Sequence, residues 1–179
     1  MAKRTNEPIT LGSRTFYMLA YSEAMPTKED LFAEENRVGR TKGGAALEYT
    51  EETYEEKDDL GFVSKVITTS EEGILKGGLL AWTGNDLVKL VDRCKVTEDS
   101  GLRTTKIGGA GNAQQGYYAI GFHHHDEKDG DIWIMIKGRN TAGLSMNFAV
   151  DEGSVLEPEF KALPHDEAGT LVEFIEEIA

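Results

Sequence analysis

The second half of the chain alternates apolar and polar residues with period two. Tyr118, Ile120 and Phe122 share one strand face, Ile132, Ile134 and Ile136 a second, and Met146, Phe148 and Val150 a third. The stretches between them, Asp-Glu-Lys-Asp-Gly at 126–130 and Gly-Arg-Asn-Thr-Ala-Gly at 138–143, are rich in turn formers. Three core-facing strands paired antiparallel through hairpins are therefore predicted. Segments 155–163 and 169–178 read as further strands.

The first half carries a different pattern. Residues 46–57 are polar yet strand-compatible, the turn-like Asp-Asp-Leu-Gly follows at 58–61, and 62–70 is rich in Val, Ile and Thr, so a long hairpin is predicted. Its acidic first arm needs neighbours to pair with, because an isolated two-stranded ribbon is marginal in water. Residues 73–82 form a short apolar strand interrupted by Gly77 and Gly78, which suggests a bulge or bend. Thr83, Gly84, Asn85 and Asp86 then supply capping chemistry, and Leu87, Leu90, Val91 and Cys94 fall at i, i+3, i+4 and i+7. One helix among roughly eight strands predicts a mainly β domain, a sandwich or barrel flanked by a single α-helix.

Two segments fit no core: 1–10, read as an N-terminal arm, and 21–44, read as a long charged loop with a short helical turn at 30–36. Long loops of this kind usually serve contacts, so both are candidate assembly arms. The candidate contact residues are Glu29, Asp30, Phe32, Arg37, Arg40 and Lys42. With 179 residues and 39% apolar content, one domain spanning 1–179 is the expectation.

Charge narrows the function classes. The 32 acidic and 19 basic residues leave a formal net charge of −13, which disfavours tight grip on nucleic acid or an anionic membrane, since both draw affinity from Lys and Arg. A single cysteine, Cys94, excludes an intrachain disulfide and any thiol cluster for zinc. The opening residues carry no apolar run of the secretory kind, and a soluble, cytoplasm-like setting is expected.

Three motifs sit on these elements in a recognisable order: Gly-Gly-Ala-Ala-Leu-Glu-Tyr-Thr at 43–50, Glu-Glu-Lys-Asp-Asp-Leu-Gly at 55–61, and Gly-Gly-Leu-Leu-Ala-Trp-Thr at 77–83. With Gly-Thr-Leu-Val-Glu-Phe-Ile-Glu-Glu-Ile at 169–178, their order resembles the tail tube (major tail) proteins of bacteriophages of Gram-positive hosts over residues 40–178. That resemblance implies a β-sandwich with a flanking helix, assembled as stacked hexameric rings in which each subunit lends strands to a continuous inner β-barrel. It implies a virion tail location after assembly in the bacterial cytoplasm, and partners of the family type: a tape measure protein, a tail terminator and tip or baseplate proteins. DNA would pass through the lumen without tight binding, and no cofactor or catalytic residue is implied. Either Glu48, Thr50 and Glu52 or Leu47, Tyr49 and Glu51 would face the lumen; the more polar first set is the expected one. The tube of a contractile bacteriocin or of a secretion-like system is the near alternative, and a β-sandwich carbohydrate-binding or adhesion module is a different-class one.

The remaining constellations are weak by comparison. His123 and His125 share a strand face beside His124 and Asp126, but no third ligand is evident in the local motif, and His165 lies far off in sequence, so the run is read as a solvated strand end and no metal site is assigned. Gly108, Gly109 and Gly111 lack the Lys-Ser or Lys-Thr of a phosphate loop and read as an inter-strand loop. The many carboxylates show no paired acid and base, so no enzymatic role is expected. Trp82, Trp133, Tyr117 and Tyr118 are read as packing residues, with Trp133 on the sheet face opposite Ile132 and Ile134.

Overall fold

The computed structural model describes residues 15–62, 64–114 and 116–178, so the arm expected at 1–10 lies outside the described residues. In chain order the elements are β1 (Thr15–Ala20), α1 (Lys28–Leu31), a 3-10 turn (Glu34–Asn36), β2 (Arg37–Lys57), β3 (Ser64–Leu79) and α2 (Gly84–Leu90). There follow β4 (Cys94–Asp99), β5 (Leu102–Ile107), a second 3-10 turn (Ala110–Asn112), β6 (Tyr118–His124), β7 (Ile132–Asn140), β8 (Glu159–Leu163) and β9 (Val172–Glu176). The chain is mainly β, as its periodicity predicts.

The large sheet closes on itself. Its order β6-β1-β2-β3-β8-β7 is completed by pairing of β7 with β6, and every pairing is antiparallel. Six strands thus form a barrel, with β9 added along the β7 edge beside β8. Closure leaves these strands without open edges over their paired lengths. Period-two alternation points Phe16, Met18, Leu75, Ile120, Ile136 and Phe160 inward, all essentially solvent-free. At the centre, the Phe16 ring lies 5.2 Å from Phe122 and 5.7 Å from Phe160 in tilted contacts.

A second cluster covers the outside of β1, β6 and β7. Tyr17, Ala119 and Met135 face outward from the barrel and are sealed by Leu31 of α1, with Phe32 packed against them. Gly121 permits this approach: a Cβ there would stand 2.7 Å from the Phe32 ring and 3.0 Å from Leu31. The segment 21–44 is therefore not a free loop. Its middle folds onto the barrel as α1 and the 3-10 turn, and from Arg37 onward it is strand β2.

The hairpin is longer than its sequence signal. Residues 62–70 and 73–82 read as separate strands, but β3 runs unbroken from Ser64 to Leu79 and pairs with β2 from Thr41 to Lys57. The irregularity expected at Gly77 and Gly78 falls on the opposite strand: Thr41 pairs with Leu79 and Ala45 with Gly77, so three β2 residues bulge against Gly78. Gly43 and Gly44 carry that bulge at φ 84° and 89°.

Two further expectations are corrected, and one hairpin lies outside them. Met146, Phe148 and Val150 form no strand; Phe148 and Val150 are exposed, because both edges of β7 are already occupied by β6 and by β8 and β9. The helix α2 ends at Leu90, so Cys94 reaches the core from the first residue of β4 and not from a helix face. Its start is as expected, with the Asp86 carboxylate accepting the Thr83 backbone N–H at 2.6 Å and the Thr83 hydroxyl at 2.9 Å. The hairpin of β4 and β5 was not predicted; it turns at Ser100 and Gly101, both with positive φ.

Candidate functional site

Beyond the barrel, β2 and β3 continue as a projecting ribbon. Pairing of β2 with β1 ends at Arg40, and pairing of β3 with β8 begins at Ile74. Among the described residues, both ribbon edges outside those limits lack a strand partner. From Thr50 to Glu71 every described residue is exposed. At about 3.3 Å per residue, the roughly ten residues from Glu48 to Lys57 carry the tip some 30 Å from the barrel. The tip itself presents Leu60, 76% exposed, and Phe62, 84% exposed, around a turn closed by the Gly61 N–H donating to the Asp58 carbonyl at 2.9 Å.

The ribbon is strongly acidic. Residues 46–76 hold nine carboxylates against three lysines, six of the thirteen net negative charges of the chain. Its two faces differ. Leu47, Tyr49 and Glu51 continue the row that pairs with Leu75, Gly73 and Glu71 and enters the barrel core at Leu75. Glu48, Thr50 and Glu52 lie on the opposite face, which becomes the outer surface of the barrel. There Lys76 Nζ stands 2.9 Å from Glu48 and 3.6 Å from Glu159, Lys161 pairs with Glu72 at 2.5 Å, and the Ser70 hydroxyl donates to Glu52 at 2.9 Å. The Glu48 hydrogen bond raises the Lys76 pKa above its ordinary value, and that ammonium remains charged. On the core-side face, the Tyr49 hydroxyl donates to Glu51 at 2.8 Å, and its pKa is pushed up to about 12 by that bond first.

The candidate contact residues do not form one patch. Glu29 and Asp30 are exposed on α1, whose start is closed by Thr27 accepting the Asp30 N–H at 3.2 Å and donating its hydroxyl to the Asp30 carboxylate at 2.7 Å. Phe32 packs within its own chain, edge-on to Tyr17 at 5.1 Å. Arg37 pairs with Glu34 at 2.5 Å. Arg40 is exposed near the end of the β1 pairing, and exposed Lys42 borders a groove of about 690 Å³ with Asn140, Ser145, Glu152 and Glu159.

A second site gathers at the turn joining β6 to β7. His123 projects from the outer face of β6 and His125 lies one residue past its end, while His124, the last residue of the strand, is buried. Asp131, immediately before β7, meets both outward imidazoles: its Oδ2 lies 2.9 Å from His123 Nε2 and its Oδ1 2.7 Å from His125 Nδ1. The Asp126 N–H also donates to Oδ1, at 3.1 Å. Partial burial alone would raise the Asp131 pKa, but the bonds from His123, Asp126 and His125 outweigh it and hold the carboxyl below its ordinary value of 3.8. Trp133 stacks on His123 at 5.3 Å and 6°, and Lys28 at the start of α1 holds its Nζ 4.1 Å above the indole. The sequence motif missed Asp131, which the β6–β7 register sets beside the histidines.

Of the other aromatic residues, Trp82 donates its indole N–H to the Ser154 carbonyl at 3.1 Å, and exposed Tyr117 lies beneath Arg139 at 4.9 Å. Gly108 and Gly109 link β5 to the second 3-10 turn. No helix among the described residues is long and apolar enough to cross a membrane. The fold and its projections define a closed β-barrel with an acidic ribbon that, among the described residues, has no strand partner along either edge. No family model matches the chain, and no curated protein sequence matches it.

Proposed function

We propose that this chain is the structural subunit of a phage tail tube, self-assembling into stacked hexameric rings that form a conduit for genome ejection. The observation that carries this reading is the ribbon. A two-stranded sheet with both edges open and acidic side chains along it gains little from its own chain, and partner strands satisfy its unpaired N–H and C=O groups. Ribbons from neighbouring copies closing a shared barrel would supply those partners. The exposed apolar tip at Leu60 and Phe62 suits insertion into the next ring.

In this arrangement the Glu48, Thr50 and Glu52 face lines the lumen. Its carboxylates repel DNA phosphates at close range, since screening limits the effect to about 8 Å at physiological salt. Family-type partners are a tape measure protein within the growing tube, a terminator at one end and a tip or baseplate complex at the other. Assembly is the activity, and no catalytic step is assigned.

Negative-stain microscopy of concentrated protein, with and without tail components that initiate polymerisation, tests the reading. Rings or tubes with a central hole are expected. Uniform small particles under every condition, initiator included, would overturn it and favour a monomeric carbohydrate-binding or adhesion module.

A further inference from the structure

We propose that His123, His125 and Asp131 form a binding site for one divalent transition-metal cation of the zinc type. The three ligand atoms lie within 4.8 Å of one another and belong to two segments that the β6–β7 pairing holds in register. His-x-His on a strand puts two imidazoles on one face, and the neighbouring strand start contributes the carboxylate.

The donor set fixes the class of ion. Two imidazole nitrogens and one carboxylate oxygen suit Zn²⁺, Co²⁺ or Ni²⁺ and fit poorly the all-oxygen demands of Ca²⁺ or Mg²⁺. Metal–ligand bonds of about 2.0–2.1 Å in a tetrahedron place donor atoms roughly 3.3 Å apart. His123 Nε2 and His125 Nδ1 lie 2.9 and 2.7 Å from the two different oxygens of Asp131, so the oxygen that ligates needs to open from its own imidazole by about half an ångström, with all three ligand atoms already within 4.8 Å of one another. Each neutral imidazole ligates after its proton occupies the other ring nitrogen, and water fills the remaining position.

The supporting shell is already in place. Trp133 and Phe32 fix the His123 ring from two sides, Phe32 at 6.0 Å, and the Asp126 N–H holds the carboxylate oxygen that faces His125. The Asp131 N–H in turn donates to Glu177 at 3.3 Å, tying the site to the segment after β9. By contrast, the His165 ring lies 2.9 Å from the Glu173 carboxylate and joins no such triad among the described residues. Through Phe32 and Trp133 the cation would stiffen the α1 cover. The sequence alone led to the opposite expectation because it offered two ligands.

Tag-free protein is titrated with Zn²⁺ against a chromophoric chelator, and with Co²⁺ while its visible d–d absorption is followed. One equivalent is expected, with a melting temperature that rises with zinc. His125→Ala and Asp131→Asn should each weaken binding at least tenfold, while His165→Ala leaves it unchanged. His125 is half-buried and more exposed than Asp131, so its variant reports even if Asp131→Asn fails to fold. Absence of binding at millimolar zinc, or undiminished binding by His125→Ala, overturns the proposal. Because the readout is metal occupancy, failure here leaves the tube reading standing, and the converse also holds.

Discussion

Replacing Leu60 and Phe62 together by Ser should separate folding from assembly. Both side chains lie at the ribbon tip with 76% and 84% of their surface in water, so neither supports the barrel core. Fully burying such a side chain yields about 1.5–3 kcal/mol. If most of the exposed surface is covered in the next ring, the pair contributes about 3 kcal/mol per subunit after losses to ordering. At about 1.4 kcal/mol per decade, the critical concentration for polymerisation should rise on the order of 100-fold. Sedimentation of polymer over a concentration series measures that threshold, and thermal unfolding of the dispersed subunit supplies the control. Surface changes of this kind alter stability by less than about 0.5 kcal/mol. An unchanged threshold would refute the tip as a contact, and a collapsed melting temperature would show that the tip belongs to the subunit's own core.

Removing residues 50–72 and joining Tyr49 to its cross-strand partner Gly73 through an Asn-Gly turn should preserve the barrel, with stability in urea changed by about 1 kcal/mol or less, and abolish tube formation seen by microscopy. Phe160→Ala empties the solvent-free centre beside Phe16 and should cost about 3–5 kcal/mol in urea unfolding. Gly121→Val drives a side chain into Phe32 and Leu31; a loss of about 1–3 kcal/mol and altered Trp133 fluorescence are expected as α1 lifts. Asp166 accepts the Thr170 N–H at 2.8 Å, and hydrogen bonds from Thr170 hold its pKa below 3.8. A depressed carboxyl stabilises the fold above its unfolded pKa, and the contribution disappears as pH falls through the folded pKa. Asp166→Ala should therefore melt below the parent protein at neutral pH, with the gap closing below about pH 4.

Sequence periodicity found β6 and β7 because each has one face in the barrel, so Ile120 and Phe122, or Ile134 and Ile136, recur at every second position. The same criterion picked Met146, Phe148 and Val150, which match the pattern yet form no strand. Alternation marks a strand only where an edge is free to receive it, and β7 had none left. Burial on both sides hid another feature: Ala119 and Gly121 look unremarkable between the apolar residues of β6, but they make room for α1. Local composition cannot disclose a helix that folds back onto the outer face of β1, β6 and β7.

The site was legible in the same uneven way. The polar ribbon announced itself through length and charge, since no compact core could use those residues, whereas the division of its faces depended on register. Pairing Leu47 with Leu75 assigns the odd positions to the core side and leaves Glu48, Thr50 and Glu52 outside. The histidine cluster shows what register adds to chemistry. His123 and His125 are visible as an i, i+2 pair, but Asp131 lies six residues beyond His125 across a turn. Only the antiparallel pairing of His124 with Ile132 brings that carboxylate between the two rings. A one-residue slip would send Asp131 to the other face of the sheet and dissolve the cluster, so the cation site is a property of strand register before it is a property of ligand spacing.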